Sequence, residues 1–376
     1  MRRLVAVTAV PGPELSTALL RALDGSGPAV LPVSTDLAEV RRVLAALRLD
    51  EPLEDEEVCL VVPTSGSTGE PKGVLLTAAC LTASARAAEQ HLGGPGSWHL
   101  ALPVTHIGGL QVLLRSLLTT GEPVTGGFVE STAALGPGRR YCSLVPTQLG
   151  RLLDAGPAAV AAVASYDAVL VGAAATPEPL LAKARAAGVR VVTTYGMSET
   201  SGGCVYDGVP LPGVEASIGH DGRVRLAGPV VARGYRLRPE LTAEAFAGQV
   251  FTTGDLGHLE DGRLVVDGRA DDLVNTGGEK VAPLAVQAAL AGHPGVAEVA
   301  VVGVPDSEWG QRVVAVVVPT GVGLTLHEAR EHVATRVSRV AAPRQLLLLD
   351  ELPMLASGKI DRAGLVALAM THDEGR

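Results

Sequence analysis

Residues 64–73 read Thr-Ser-Gly-Ser-Thr-Gly-Glu-Pro-Lys-Gly, and they follow directly on the apolar run Val58–Val62. Such a run predicts a buried strand, so the stretch lies where a strand ends and the backbone turns. Its hydroxyl and backbone N–H groups can donate hydrogen bonds, its glycines permit close approach, and Lys72 supplies a point charge. The stretch therefore predicts a loop that binds a polyphosphate.

Two other interpretations of this stretch are weaker. The common nucleotide loop G-x-x-x-x-G-K-[ST] does not fit, because the spacing from Gly66 to Lys72 is too long and Gly73 stands where Ser or Thr should bind magnesium. A Ser/Gly-rich surface loop is the other alternative, but linker composition rarely follows a buried strand.

Further motifs follow in order along the chain: Tyr195-Gly196-Met197-Ser198-Glu199-Thr200, Thr253-Gly254-Asp255, Gly268-Arg269-Ala270-Asp271-Asp272 and Ser357-Gly358-Lys359-Ile360-Asp361-Arg362. Together with the loop they resemble the signature of the acyl-adenylate-forming (AMP-binding) superfamily, which includes acyl-CoA synthetases, peptide-synthetase adenylation domains and luciferases. The five matches cover nearly the whole chain. The resemblance implies an enzyme that activates an organic acid with ATP and Mg²⁺ and then transfers it to coenzyme A.

The resemblance also implies a role for each motif residue at the nucleotide. Ser198 would contact the α-phosphate, Glu199 would bind the magnesium ion, and Asp255 would accept both ribose hydroxyls. The β- and γ-phosphates would be held by Thr64, Ser65, Gly66, Ser67, Thr68, Gly69 and Lys72. Adenine would lie between Tyr195 and the segment Gly172-Ala173-Ala174, and the nucleotide site would be completed by Thr194, Gly196 and Arg269.

Lys359 is the principal catalytic residue that the resemblance implies, together with Glu199 and Ser198. In the family, a C-terminal domain brings this lysine to the reacting carboxylate and then swings away to admit the thiol. Asp271 matches the hinge position, and Gly277 and Gly278 would line the thiol channel. The resemblance thus predicts two domains, residues 1–270 for ATP and acid and residues 271–376 for the mobile lysine.

The acid is predicted from three observations. The phosphate loop begins only 63 residues into the chain, as in the o-succinylbenzoate–CoA ligases of menaquinone biosynthesis, particularly actinobacterial forms, which the block Thr194–Val214 also resembles. The segment 102–109 resembles the family's acyl-pocket motif and contains His106. Arg115 lies nine residues further on, where this ligase group can place an arginine, so the resemblance implies that it binds the second carboxylate of a dicarboxylic acid. Ser201 and Gly202 are also predicted to contact the acid.

His106 and Arg115 converge only if His106 precedes a helix, because nine residues at about 100° each would otherwise place them on opposite faces. Alternatives remain for the acid and for the activity. The protein could instead be another aryl- or short-acyl-CoA ligase, with a different acid as its substrate. The protein could also be a catalytically silent nucleotide-binding protein, although a silent descendant would not need Lys72, Glu199, Asp255 and Lys359.

The bulk properties narrow the class of protein. A net charge of −9 argues against a nucleic-acid partner. The four cysteines lack metal-binding spacing, and no segment has the roughly 20 uninterrupted apolar residues of a membrane span. We therefore expect a cytoplasmic protein without membrane insertion, whose partners are small molecules; a homodimer is left open.

The order of short apolar runs and helical patterns predicts an α/β fold. Residues 1–50 alternate as β, α, β and α, which favours a parallel sheet with flanking helices, and the acidic connector Glu51–Glu57 is predicted to be a solvated loop. A hairpin is expected around Asp261-Gly262. After Arg269 the pattern changes to a small α+β domain.

We expect Lys359→Ala to lose acyl-adenylate formation but to keep thioester formation from preformed adenylate. The ammonium would meet the negative charge that develops as pyrophosphate leaves, an interaction worth about 3–4 kcal/mol. Single-turnover rates of the two half-reactions test this, with Lys183→Ala as a control outside the motifs. Equal loss of both half-reactions would contradict the role.

Overall fold

The computed structural model of the protein describes residues 2–65, 70–354 and 360–372. Its strands, in chain order, are β1 (Leu4–Thr8), β2 (Ala29–Val33), β3 (Val58–Ser65), β4 (Pro71–Thr77), β5 (Gly96–His99), β6 (Arg139–Leu144), β7 (Ala168–Val171), β8 (Val191–Met197), β9 (Gly202–Tyr206), β10 (Val209–Pro210), β11 (Glu215–Ile218), β12 (Arg223–Ala227), β13 (Gly234–Tyr235), β14 (Phe246–Ala247), β15 (Val250–Glu260), β16 (Arg263–Arg269), β17 (Val274–Thr276), β18 (Glu279–Val281), β19 (Val296–Asp306), β20 (Gly310–Pro319) and β21 (Gln345–Leu348).

The helices connect these strands and cover the sheets. In chain order they are α1 (Pro13–Leu23), α2 (Leu37–Leu47), α3 (Ala78–His91), α4 (Ile107–Leu117), α5 (Phe128–Ala134), α6 (Pro146–Asp154), α7 (Pro157–Ala164), α8 (Glu178–Ala186), α9 (Pro239–Ala245), α10 (Pro283–Ala291), α11 (Leu326–Arg336) and α12 (Arg362–Thr371). The predicted α/β class is confirmed. No helix in the described part of the chain has the length and apolar content that crossing a bilayer requires.

The first sheet has the order β1-β2-β3-β4-β13. Strands β1, β2 and β3 are parallel, as the alternating pattern predicted. Strand β4, which runs antiparallel to β3, was not predicted. The predicted phosphate loop is therefore followed first by a strand, and the helix comes only after that strand. The helix expected after the stretch begins at Ala78, where the Thr77 hydroxyl accepts a hydrogen bond from the Cys80 N–H.

The second sheet has the order β10-β9-β8-β7-β6-β5. Strands β5 to β8 are parallel, and β9 turns back antiparallel to β8. The third sheet is antiparallel and contains β11, β12, β14, β15 and β16. The hairpin between β15 and β16 turns at Asp261 and Gly262, whose φ angles are 49° and 75°. A two-residue hairpin turn of type I′ requires positive φ at both residues.

The last part of the chain builds its own sheet, with the order β18-β17-β20-β19 and β21 paired with β20. The predicted pattern of this α+β region is confirmed. Two of the five buried apolar clusters draw only on residues from Val274 onward, and the other three only on residues up to Leu264. The domain boundary near Asp271 stays a prediction; it falls in the turn between β16 and β17.

The acidic connector is a loop with mostly exposed side chains, as predicted, and its backbone also binds a buried arginine. The Arg236 side chain is fully buried and donates to the carbonyls of residues 47, 48, 51 and 52 at 2.5–3.0 Å. Its Nη1 also donates to Glu54 at 3.2 Å. Arg233, just before β13, pairs with Asp55 at 3.1 Å. The contacts with Arg236 were not predicted because this partner is remote in sequence.

Arg236→Met should lower the free energy of unfolding by about 3–5 kcal/mol, because four backbone carbonyls and a carboxylate lose the buried guanidinium that they share. Urea denaturation followed by circular dichroism measures this. Arg238→Ala is the matched control, since Arg238 pairs with Glu70 at the surface at 2.8 Å and should cost less than about 1 kcal/mol. A similar loss in both variants would contradict the anchoring role.

Candidate active site

Two strand pairings place the lysine of the predicted phosphate loop. Lys72 lies on β4, where its backbone pairs with Thr64 of β3. On the other edge of β4, Tyr235 of β13 pairs with Val74. Side chains two residues apart on a strand point to the same face. The Lys72 ammonium accordingly lies beside the Tyr235 ring, with Nζ 5.4 Å from the ring centroid.

Glu199, the predicted magnesium ligand, lies in a 3₁₀ turn, Ser198–Thr200, directly after β8. The Tyr235 hydroxyl donates to Glu199 Oε1 at 2.8 Å, and the Glu199 carbonyl accepts from the Ala232 N–H at 2.8 Å. Burial and then the neighbouring carboxylate raise the pKa of Tyr235, so the phenol stays protonated and donates. The structure thus brings Lys72 and Glu199 together around one tyrosine.

A single carboxylate at this point fits a magnesium ion that arrives with ATP. Mg²⁺ keeps several waters and is commonly held by one or two carboxylates together with substrate phosphates. Among residues 2–65, 70–354 and 360–372, no group of three His, Cys, Asp or Glu side chains could hold a metal ion by itself. The donor set therefore suits Mg²⁺ shared between Glu199 and phosphate oxygens.

The predicted ribose ligand, Asp255, has a protein partner on each carboxylate oxygen. The Tyr195 hydroxyl donates to Oδ2 at 2.6 Å, and Arg269 Nη1 lies 3.5 Å from Oδ1. Arg269 also pairs at two points with Asp271, at 2.7 and 2.9 Å, which lowers the pKa of Asp271. Burial, followed by the Asp255 charge, raises the pKa of Tyr195. The predicted adenine, ribose and hinge residues are therefore in one chain of contacts.

The segment predicted to pack on adenine lies after β7, beside β8. A Cβ at Gly172 would come within 2.3 Å of the Thr194 hydroxyl oxygen, so no side chain fits there. Ala173 has φ of 67°, and both Ala173 and Ala174 are exposed. These small residues leave an exposed surface that a planar base can approach. Their role in adenine binding stays a prediction.

A cavity of about 110 Å³, which we call the acid cavity, connects predicted nucleotide residues with predicted acid residues. Its lining includes Gly172, Thr194 and Gly196 of the predicted nucleotide site. It also includes Arg115, a predicted acid residue, and Tyr206, which pairs with Thr194 across β8 and β9. It lies beyond the carboxyl ends of parallel strands, where α/β sheets commonly bind ligands. One cavity therefore joins the two predicted sites.

Helix α4 supplies one wall of the acid cavity. The helix begins at Ile107, with His106 as its N-cap. His106 therefore precedes the helix, which is the condition under which His106 and Arg115 can converge. The wall is formed by Ile107, Gln111 and Arg115, which are spaced by four and so share one helix face. The His106 side chain is exposed at the start of the helix, and its role stays a prediction.

Arg115 is a buried cation, only 5% exposed, at the end of the acid cavity. Its Nη2 donates to the Tyr206 hydroxyl at 3.3 Å, and its guanidinium carbon lies 5.2 Å from the centroid of the Trp98 ring. Its Nε has no acceptor, and within the described ranges no carboxylate pairs with it. Burial raises the pKa of Tyr206, which is therefore a neutral phenol. A charge buried in this way requires a counter-charge.

Ser201 and Gly202, the other predicted acid residues, follow the Glu199 turn. Ser201 has φ of 55° and is completely buried; its hydroxyl donates to the Val230 carbonyl at 2.7 Å. Its carbonyl accepts from Gln111 Nε2 at 2.7 Å and from the Ser84 hydroxyl at 3.0 Å. Gly202 lines the acid cavity. The Ser201 hydroxyl is thus used within the protein, whereas Gly202 presents its backbone to the cavity.

The predicted thiol channel lies in the turn between β17 and β18. Gly277 and Gly278 have φ of 61° and 82°. The Gly277 N–H donates to the Trp309 carbonyl at 2.9 Å, and a Cβ at Gly277 would come within 3.0 Å of the Trp309 ring. The turn is therefore held against an aromatic side chain. Its part in admitting a thiol stays a prediction.

Some predicted residues lie outside the described residues, and others were missed. Those outside are Gly66, Ser67, Thr68, Gly69 and Lys359. Ser198 is described and is buried. The sequence analysis did not single out Tyr235, Tyr206, Trp98 or Gln111. Tyr206 lies within a block already compared with the family, but nothing local marks the other three.

Comparison with known proteins identifies two family models in this chain. The model "AMP-binding enzyme" matches residues 14–236, and the model "AMP-binding enzyme C-terminal domain" matches residues 285–359. The two matches together cover most of the chain. The first match includes Lys72, Arg115 and Glu199, whereas Asp255, Arg269, Gly277 and Gly278 lie between the two matches.

Individual relatives were found at the levels of sequence and structure. The chain is 50% identical over 369 residues to a probable 2-succinylbenzoate–CoA ligase of Mycobacterium tuberculosis (strain CDC 1551 / Oshkosh), with 94% of each chain covered. It is 32% identical over 350 residues to a 2-succinylbenzoate–CoA ligase of Geobacillus sp. (strain WCH70), covering 85% of this chain and 71% of the relative. It also resembles the structure of o-succinylbenzoate CoA synthetase (MenE) from Bacillus subtilis in complex with the acyl-adenylate intermediate OSB-AMP, with a TM-score of 0.72, 26% identity, and coverage of 96% and 82%.

Tyr235→Phe should weaken the binding of magnesium–ATP by about tenfold, because Glu199 loses a hydrogen bond worth about 1.5 kcal/mol. The KM for ATP at saturating acid and a direct titration with magnesium–ATP both measure this. Tyr166→Phe is the control: its hydroxyl contacts the His99 ring at 2.8 Å, away from Glu199, and ATP binding should not change. Unchanged ATP binding in Tyr235→Phe would refute the positioning role.

Proposed function

This chain belongs to the AMP-binding enzyme family, and we propose that it is an ATP-dependent acid–CoA ligase that acts on o-succinylbenzoate in menaquinone biosynthesis. The prediction of the family from five ordered motifs is confirmed. The proposed acid is supported by the names of the relatives, one of them 50% identical over 94% of the chain. The observation that carries the proposal is the buried, unpaired guanidinium of Arg115 in the acid cavity.

A dicarboxylic acid explains this guanidinium. A buried cation without a counter-charge is costly, and a bound carboxylate would supply both the counter-charge and acceptors for the unused donors. The same cavity is lined by residues next to the Glu199 turn, Gly196 and Gly202. An acid held by its benzoate group at Arg115 would thus extend its succinyl carboxylate towards the nucleotide.

The first half-reaction would join this carboxylate to AMP. A carboxylate oxygen attacks the α-phosphorus, an O–P bond forms, and the bond from that phosphorus to the pyrophosphate oxygen breaks. Magnesium, when bound, neutralises phosphate charge, and Lys72 adds a second positive charge beside it. Tyr235 holds Glu199 in place, and Asp255 would accept hydrogen bonds from the ribose.

The second half-reaction would transfer the acyl group to coenzyme A. The thiol sulfur attacks the acyl carbon, the bond to the AMP oxygen breaks, and the thiol proton is released to solvent. We propose that residues 271–376 move as a unit about Asp271 between the two steps, taking Lys359 away and bringing the turn at Gly277 and Gly278 to the acyl group. The separate apolar clusters on either side of residue 271 support such a movement.

Wild-type protein should release pyrophosphate faster with o-succinylbenzoate than with 3-benzoylpropionate, which lacks only the ring carboxylate. Arg115→Met, which keeps the volume and removes the charge, should lower kcat/KM for o-succinylbenzoate about 10- to 100-fold, the effect of losing a hydrogen bond to a charged group. The value for 3-benzoylpropionate should not fall.

A wider panel of fatty acids and substituted benzoates completes this experiment. If a monocarboxylate is the better substrate of the wild-type protein, the o-succinylbenzoate assignment is wrong and the ligase assignment stands. If no acid yields pyrophosphate, the ligase assignment is also wrong, and a silent nucleotide-binding protein becomes the better hypothesis.

A further inference from the structure

A second cavity of about 130 Å³, which we call the rear chamber, lies on the far side of Arg115. The reaction proposed above does not use it. Its walls come from α3, from β5 and β6, and from the end of α4. They include the aromatic side chains of Trp98 and Tyr141 and the apolar side chains of Ala85 and Leu118. The lining also includes four polar side chains, those of Thr82, Arg86, Glu89 and Thr119.

Arg115 is the one described residue that lines both cavities. The guanidinium of Arg115 has one neighbour from each cavity. Tyr206, which accepts its hydrogen bond, lines only the acid cavity. Trp98, whose ring lies beside the guanidinium carbon, lines only the rear chamber. The positions along α4 agree with this arrangement. Ile107 and Gln111 line the acid cavity, and Leu118, just after the helix, lines the rear chamber.

We propose that the rear chamber is a binding space for an aryl group, and that the Arg115 side chain is the partition that closes it off from the acid cavity. This inference rests on the proposed function, because it assumes that the substrate acid binds in the acid cavity. It adds that one side chain sets two properties of the acid. The charge of Arg115 selects a second carboxylate, and its bulk limits how far an aromatic acid can extend.

The size and walls of the rear chamber suit an aromatic ring. An engineered protein cavity of about 150 Å³ lined by apolar side chains binds benzene, so a chamber of similar volume can accept one ring. Trp98 and Tyr141 are in contact, with ring centroids 5.0 Å apart, and offer aromatic surface. The Tyr141 hydroxyl is already bonded to the carbonyls of Leu92 and Gly94, so its polar end needs no further partner.

Two monocarboxylic acids test the partition. One is 3-benzoylpropionate, and the other is its 2-biphenylyl analogue, which carries a phenyl group at the ring position where o-succinylbenzoate has its second carboxylate. In wild-type protein the shorter acid should give the higher kcat/KM for pyrophosphate release. Arg115→Ala should raise kcat/KM for the biphenylyl acid at least tenfold over wild type, because the second ring enters the rear chamber.

Two further variants separate bulk from charge. Arg115→Met removes the charge but keeps the partition, so kcat/KM for the biphenylyl acid should change less than threefold. Adding Ala85→Leu to Arg115→Ala fills the rear chamber and should abolish the gain while sparing the shorter acid. If Arg115→Ala does not fold, Arg115→Val keeps an apolar group on the helix and carries the same expectation.

Failure of this inference is distinguishable from failure of the proposed function. If Arg115→Ala turns over 3-benzoylpropionate but shows no gain with the biphenylyl acid, or if Arg115→Met shows the same gain, the partition is refuted. In either case the preference of wild-type protein for o-succinylbenzoate is unaffected. Conversely, the gain in Arg115→Ala would support the partition even if o-succinylbenzoate proved not to be the preferred acid.

Discussion

The hydrogen bonds of Arg236 are the interaction on which the candidate site depends most. This one side chain, which is itself fully buried, connects the segment after β13 to the loop between α2 and β3 through four backbone carbonyls. The anchored segment includes β13, which completes the first sheet by pairing with β4. As a result Tyr235 is held between Lys72 and Glu199. A structural constraint far from the phosphates therefore sets the geometry around the predicted magnesium ligand.

The contrast between Arg236 and Arg115 shows how burial alone fails to identify function. Both guanidinium groups are removed from solvent. Arg236 uses each of its three nitrogens on protein acceptors, so it is satisfied without a ligand. Arg115 has one hydrogen bond to a phenol, one aromatic neighbour and an unused Nε. The list of partners, rather than the extent of burial, distinguishes an anchoring arginine from one that awaits an anion.

Arg269 connects nucleotide binding to the predicted hinge. It contacts Asp255, the predicted ribose ligand, at 3.5 Å and Asp271 at 2.7 Å. Any change in the position of one carboxylate therefore alters the electrostatic environment of the other. The backbone pairing of Asp255 on β15 with Arg269 at the end of β16 places these charged residues close together.

Much of this protein was predictable from its sequence because the informative signals are local. Apolar runs and turn residues predicted many of the strands and helices, including the Asp261-Gly262 hairpin and, after Arg269, α10, β19, β20, α11 and β21. The short strands β17 and β18 and the helix α12 were not predicted. Five short motifs, each contiguous in the chain, determined the family. In each case neighbouring residues carry the signal, and no knowledge of remote contacts is needed.

Only the tertiary structure decided which remote residues meet. It placed Tyr235 on Glu199, Trp98 and Tyr206 on Arg115, and the acidic connector around Arg236. It also revealed β4, whose strand conformation depends on β3 on one edge and β13 on the other. Strand pairing and the packing of helices on sheets determine these contacts, and no local pattern encodes them. The physical reason is that a buried polar group must find its partner wherever the fold brings one, at any distance along the chain.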